Sequence, residues 1–289
     1  MGSGALISVV IPTHNEFTLL ARTLAGLAAS RSVPTGTLEV IVVDNNSTES
    51  GLPAALAHFD DASSLTVVHQ PQLPHPYALC RARNLAMAIA RGRWIWTLDA
   101  DCIPHPNALR SLLDAIDGRD EPLAFTGERF FVDPATVTPE DIAQDPQVLD
   151  TMEGVLSPSN YRLQQDRRIP RIMGLPDLEH PWDMMHGGNS VFRRIDALSV
   201  GGYDERFDGT WGYEDDEFAY RLVTRAGVTA HWVEGMTVFH QESAGNTQDR
   251  VNRPNKADNP NWSLVCSLIP GYREYKLATY SDIGVDIEA

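Results

Sequence analysis

Three short stretches of this chain hold side chains whose types and spacing suit shared chemistry. Asp99-Ala100-Asp101 sets two carboxylates one residue apart. Hard oxygen ligands in such a pair suit Mg²⁺ or Mn²⁺, through which a diphosphate can be held. A D-x-D tripeptide by itself is more often the solvated end of a strand, so its company decides its meaning. Trp211-Gly212-Tyr213-Glu214-Asp215-Asp216-Glu217 strings carboxylates together at a helix start. One or two acids there satisfy the helix macrodipole, at about 0.3–1 kcal/mol each. The excess, set against their mutual repulsion, points to a carboxylate that works as a general base on a hydroxyl. His240, in Val238-Phe239-His240-Gln241-Glu242, follows an apolar run, and a neutral imidazole is a competent ligand for Mn²⁺. A lone histidine at a strand end is more often structural; the acids make this one a candidate.

The elements that must position these residues alternate in period. The β-branched run Ile7 to Ile11, bounded by Pro12, reads as a strand, and Glu16 to Ala29 as an amphipathic helix. Glu39 to Val43 and Leu65 to Val68 read as further strands, the first ending in the turn-forming Asp44-Asn45-Asn46-Ser47. Cys80 to Arg91 has helical spacing and feeds Trp94 to Leu98, which ends at the D-x-D pair. Continuous apolar strands alternating with helices predict a doubly wound α/β fold with a mainly parallel sheet, whose ligands bind at the carboxyl ends of the strands. Thr13-His14-Asn15, Asp44-Asn45-Asn46 and Asp99-Ala100-Asp101 each follow a strand, so they are expected on one sheet edge. Glu214 to Ala226 reads as a helix stopped by Gly227. The weakly periodic segment from Asp133 to Trp182 is expected to be a variable insertion or a loop-and-helix layer, and the polar stretch after Gln241 a tail, or a loop over the site acting as a lid.

The formal charge of −16 excludes nucleic acid as a main partner; a cation can still bridge the protein to an anionic ligand. Cys80, Cys102 and Cys266 are too few and too widely spaced for a disulfide framework or a paired zinc site, and read as reduced thiols. No apolar run is long enough to span a membrane, and the start lacks the features of a signal peptide, so a soluble, cytoplasmic protein is expected.

The ordered set IPTHNE, VVDNNS, RARN, LDAD, GGNSVF, GGYDE, WGYEDDEFAYRL and FHQE resembles family 2 glycosyltransferases of the GT-A fold over about residues 8–242. HGGNSVFRR followed by GGYDERFDGTWGYEDDEFAYRL is similar to the carboxy-terminal region of β-1,4-galactosyltransferases, polypeptide N-acetylgalactosaminyltransferases and chondroitin-polymerase modules. The resemblance implies a single Rossmann-like GT-A domain over 1–289. Residues 5–132 would form the nucleotide-binding half, 133–242 the acceptor and catalytic half, and 243–289 the tail or lid.

It also implies roles. Asp44 contacts a uracil ring, Pro12, Thr13 and Glu16 lie beside the nucleoside, and Arg81 or Arg83 contacts the base or phosphates, with Asn84 as loop support. Asp99 serves the ribose and the metal, and Asp101 and His240 complete the Mn²⁺ (or Mg²⁺) site. Gly187, Gly188 and Trp211 border the transferred sugar. Glu214-Asp215-Asp216 matches the E-D-D element of inverting members, with Asp215 as base and its neighbours on sugar hydroxyls. The expected reaction is inverting transfer of a hexose or N-acetylhexosamine from a UDP-sugar to a saccharide, peptide or small natural-product acceptor. The alternatives are a retaining transferase, a nucleotidyltransferase or sugar-nucleotide pyrophosphorylase, and a non-catalytic sugar-binding protein. Tyr213 stands where the galactosyltransferase-like pattern has glycine, a departure expected to narrow the sugar pocket. Arg162, Arg167, Arg168 and Arg171 form a basic cluster suited to an anionic acceptor, although such clusters are more often solvated.

Overall fold

The computed structural model describes residues 7–30, 34, 36–59, 64–71, 77–152, 154, 175–242 and 258–282. The first half alternates as its periodicity requires: β1 (Ile7–Thr13), α1 (Phe17–Ala29), β2 (Leu38–Asp44), α2 (Leu52–Leu56), β3 (Leu65–His69), α3 (Leu79–Ile89) and β4 (Trp94–Thr97). There follow β5 (Cys102–Pro104), α4 (Ala108–Ile116), β6 (Leu123–Thr126), β7 (Arg129–Val132), α5 (Pro139–Gln144) and β8 (Ser190–Arg193). The last elements are α6 (Arg194–Ser199), α7 (Glu214–Ala226), β9 (Thr229–Trp232), β10 (Val238–Gln241), α8 (Pro260–Leu268) and α9 (Tyr272–Asp282). Among the described residues no helix is long and apolar enough to cross a membrane.

A seven-stranded sheet runs in the order β3-β2-β1-β4-β8-β6-β9. β1 pairs in parallel with β2 and β4, and β2 with β3, whereas β8 is antiparallel to both β4 and β6. The sheet is therefore mainly parallel with one reversed strand, and both faces are covered. Ile7, Val9 and Ile11 pack with Leu20 and Leu24 of α1 and Leu109 of α4, while Val10 faces Ala86 of α3 and Leu222 of α7. That alternation is the period-2 pleat of a strand buried on both sides.

A second, three-stranded sheet β5-β10-β7 stands beside the first. Its register sets His240 opposite Cys102 on one neighbour and opposite Phe131 on the other. The described part of the segment from Asp133 to Trp182 combines loop and helix. α5 is closed by a capping box between Thr138 and Asp141, and Val137, Ile142 and Leu149 pack with Ala25 and Phe239. The basic cluster Arg162, Arg167, Arg168 and Arg171 lies outside the described residues. The described part of the expected tail, 258–282, corrects the reading of that stretch as a loop. α8 and α9 dock through Trp262, Val265, Ile269 and Tyr272, all buried in the same core as Phe218 and Leu222 of α7.

Candidate active site

Arg83 is the hub of the site. It lies on α3, whose own N-terminal residue Ala78 supplies no side-chain cap. Asp208 does so from across the chain, accepting from the amides of Cys80 at 2.8 Å and Arg81 at 3.1 Å, which satisfies donors a helix start leaves bare. The guanidinium, 1% exposed, donates to Asp215 Oδ1 at 2.8 Å and Asp99 Oδ1 at 3.0 Å, and lies 3.6 Å from Glu214 Oε1. It also sits 4.9 Å over the Tyr203 ring, a favourable cation–π geometry. Asn84 holds that platform by exchanging hydrogen bonds with the Tyr203 backbone at 2.8 and 2.9 Å. Burial opposes the Arg83 charge, but Asp215, Tyr203 and the other acids overcome it and hold its pKa well above the ordinary value.

Asp215 is clamped from both sides. Its Oδ2 accepts from the Gly187 amide at 2.9 Å, and its side chain keeps a quarter of its surface exposed. A Cβ on Gly187 would fall on the Arg83 guanidinium and 2.6 Å from Asp215 Oδ1, and one on Gly188 would lie 3.0 Å from Asp99 Oδ2. Close approach explains both glycines. Asn189 fixes their turn, accepting from Trp96 Nε1 at 3.0 Å and donating to the Met236 carbonyl at 2.8 Å.

The three acids of the E-D-D element part company. Glu214, buried, has its carboxyl pushed up to about 8 by burial and by the Asp215 charge, against the pull of Arg83. Its Oε2 has no hydrogen-bond partner among the described residues. Asp216 does not join the others on Arg83: it is 2.9 Å from Lys276 Nζ and accepts from the Tyr272 hydroxyl.

Two of the three expected metal ligands stand together. His240 Nε2 lies 3.5 Å from Asp101 Oδ2, and both residues are buried. The third donor grouped with them is Cys102, opposite His240 in the ladder, whereas Asp99 is turned to Arg83. Burial, then Asp101, keeps the Cys102 thiol pKa well above its ordinary value. Sequence reasoning took Cys102 for a plain thiol. It also missed Arg129, which lies over Phe131 and donates to His186 Nδ1 at 2.7 Å.

At the other end of the sheet edge, Thr13 and Asp44 are register partners. The Thr13 hydroxyl is buried with no hydrogen-bond partner among the described residues. Asp44 accepts from the Ser47 amide at 3.1 Å and meets His69 Nδ1 at 3.0 Å. Burial works to raise its pKa, yet these bonds hold it below the ordinary carboxylate value. Pro12 is buried within β1, Glu16 is exposed at the start of α1, and Arg81 turns to Glu205 at 4.0 Å. Trp211 is 43% exposed beside Gly212. Tyr213 has φ 72°, the left-handed region that favours glycine, so backbone geometry accounts for the glycine in the related pattern. Its ring packs 5.4 Å from Trp262.

Comparison with known proteins gives this geometry a family. The profile of "Glycosyl transferase family 2" matches residues 8–196. The chain belongs to that family. A second profile, "N-terminal domain of galactosyltransferase", matches residues 167–241. Among curated relatives of this family 2 chain, chondroitin synthase of Escherichia coli is 30% identical over 256 residues, which is 85% of the chain and 36% of that protein. Validoxylamine A glucosyltransferase of Streptomyces hygroscopicus subsp. limoneus is 31% identical over 221 residues, 75% of the chain and 48% of that protein. The chain thus spans between about a third and a half of these relatives' length. The crystal structure of GalNAc-T7 with UDP, GalNAc and Mn²⁺ superposes with a TM-score of 0.65 at 18% identity, covering 100% of this chain and 53% of that one. The family 2 fold here is the GT-A glycosyltransferase fold.

Proposed function

We propose that this chain transfers a hexose or N-acetylhexosamine from a UDP-sugar to an acceptor hydroxyl, with inversion, metal dependence and Asp215 as base. The observation that carries the reading is the meeting of Asp215 and Asp99 on the Arg83 guanidinium, at 2.8 and 3.0 Å. It joins the acid at the start of α7 to the first acid of the D-x-D pair. The acceptor is a saccharide, a peptide or a small natural product, the range that the names of its relatives span.

The Arg83 and Gly187 hydrogen bonds orient the Asp215 carboxylate and leave it lone pairs for one more donor. Asp215 takes the acceptor proton as the hydroxyl oxygen bonds to the anomeric carbon and the bond to the diphosphate oxygen breaks. No sugar-enzyme bond forms. Asp44 and the Thr13 hydroxyl serve the nucleoside end. Asp101 and His240 are the residues that would hold Mn²⁺ or Mg²⁺; their buried carboxylate-imidazole pairing fits such a cation. When bound, the metal supplies positive charge to the departing diphosphate.

The test is Asp215→Asn. UDP-sugar binding is retained while transfer falls by at least about 10²-fold, the product anomer is inverted by NMR, and EDTA abolishes turnover. An unaffected rate removes Asp215 from the mechanism, a retained anomer overturns inversion, and full activity in EDTA overturns the metal.

A further inference from the structure

The family profiles end at residues 196 and 241, yet side chains beyond both grip the loop that leads into Asp215. Asn261 is 3% exposed. Its amide donates to the carbonyl oxygens of Phe207, Thr210 and Gly212 at 2.9, 3.3 and 3.0 Å. Asn259 donates to the Trp211 carbonyl at 2.6 Å, while its own Oδ1 caps α8 by accepting from the Asn261 amide at 2.9 Å. Four carbonyls between residues 207 and 212 are thus held by two side chains.

The backbone they hold is costly. Gly212 has φ 102° and Tyr213 φ 72°, and α7 starts on this left-handed residue with no side-chain cap. Backbone of this kind persists only where surrounding contacts over-determine it, and such places cluster at functional sites. Docking of α8 and α9 does not need these amides, since buried Trp262, Val265, Ile269 and Tyr272 supply the apolar contact. Lys276, bound to Asp216 at 2.9 Å and to Asp183, anchors the first turn of α7 from behind.

We propose that Asn259 and Asn261 are positioning residues of the transfer site: they hold the 207–213 loop on the left-handed path that sets Asp215 against Arg83 and Gly187. The assignment rests on the proposed role of Asp215 for its catalytic consequence and on the hydrogen bonds for the clamp itself.

Asn261→Asp and Asn259→Asp test it, because each keeps side-chain shape and loses the amide donor. Asn259→Asp also keeps the helix cap, aspartate capping about as well as asparagine. The expected result is a kcat lower by about tenfold to 10²-fold, the scale of a misplaced catalytic group, with KM for the UDP-sugar within about twofold. Hydrogen exchange rises across 207–216 and stays unchanged in β1 and β4. Unchanged exchange at 207–216 in both variants overturns the clamp. Protection lost across the whole sheet reduces the two amides to fold stability and overturns positioning. A kcat within about twofold of the parent, with the loop loosened, overturns the catalytic consequence. The exchange measurement needs no turnover, so a parent protein inactive with every UDP-sugar counts against the proposed function and leaves the clamp to be decided by exchange.

Discussion

Replacing Arg83 by methionine keeps much of the stem and removes the guanidinium on which Asp99, Glu214 and Asp215 meet. The three acids do not suffer equally. The side chains of Asp99 and Asp215 are 34% and 25% exposed, so water returns to them; that of Glu214 is 6% exposed. At pH 6 Glu214 is already protonated in the parent, its carboxyl standing at about 8. The loss is then that of two charge-assisted hydrogen bonds, about 2 kcal/mol together after discounting for hydration. At pH 9 the parent also ionises Glu214 beside Arg83, whereas the variant keeps that carboxyl protonated and forgoes a further ~1.4 kcal/mol, the worth of one pH unit above its value of about 8. Urea unfolding at the two pH values reads this directly, as a midpoint shift at constant slope that is larger at pH 9. Arg83→Lys falls between the two, since a single ammonium cannot reproduce the guanidinium fork. A variant within about 0.5 kcal/mol of the parent at both pH values refutes the hub.

Three further outcomes are expected. Glu214 has a folded-state pKa raised above its unfolded value of 4.5, so its contribution is fully present below about pH 4.5 and is lost as pH rises through about 8; Glu214→Gln flattens the stability profile across that window, and parallel profiles count against the raised carboxyl. Tyr213→Gly and Tyr213→Ala both lose the ring contact with Trp262, but only glycine suits φ 72°, so denaturant titration finds the glycine variant more stable by about 1 kcal/mol; equal stabilities argue against strain at this position. Gly187→Ala drives a methyl group into the Arg83–Asp215 contact and lowers transfer by about 10²-fold, whereas wild-type kinetics show that the contact is not needed.

Much of the fold was legible because periodicity is local. The β-branched run Ile7 to Ile11 and the helical spacing from Glu16 to Ala29 correspond to β1 and α1, and Gly227, with φ 66°, ends α7 where its left-handed freedom predicts. Apolar strands buried on both faces forced the layered sheet, and the polar residues after β1, β2 and β4 had to gather at its carboxyl edge. The reversed direction of β8 was not legible, because pairing direction depends on a partner distant in the chain.

The sequence by itself determined which chemical groups are available: the D-x-D pair, the run of acids before α7 and His240. Only the tertiary structure decided what each one faces. Asp215 and Asp216 are neighbours in sequence, but about 100° of helix rotation sends one to Arg83 and the other to Lys276. Asp101 and Cys102 meet His240 because β5 and β10 pair in that register, which leaves Asp99 to the arginine. Polarity made 258–282 look like a loose tail, since hydropathy cannot register amides that are satisfied by the carbonyls of a distant loop. Side-chain identity is written locally; direction and partnership come from packing at long range, and the site depends on both.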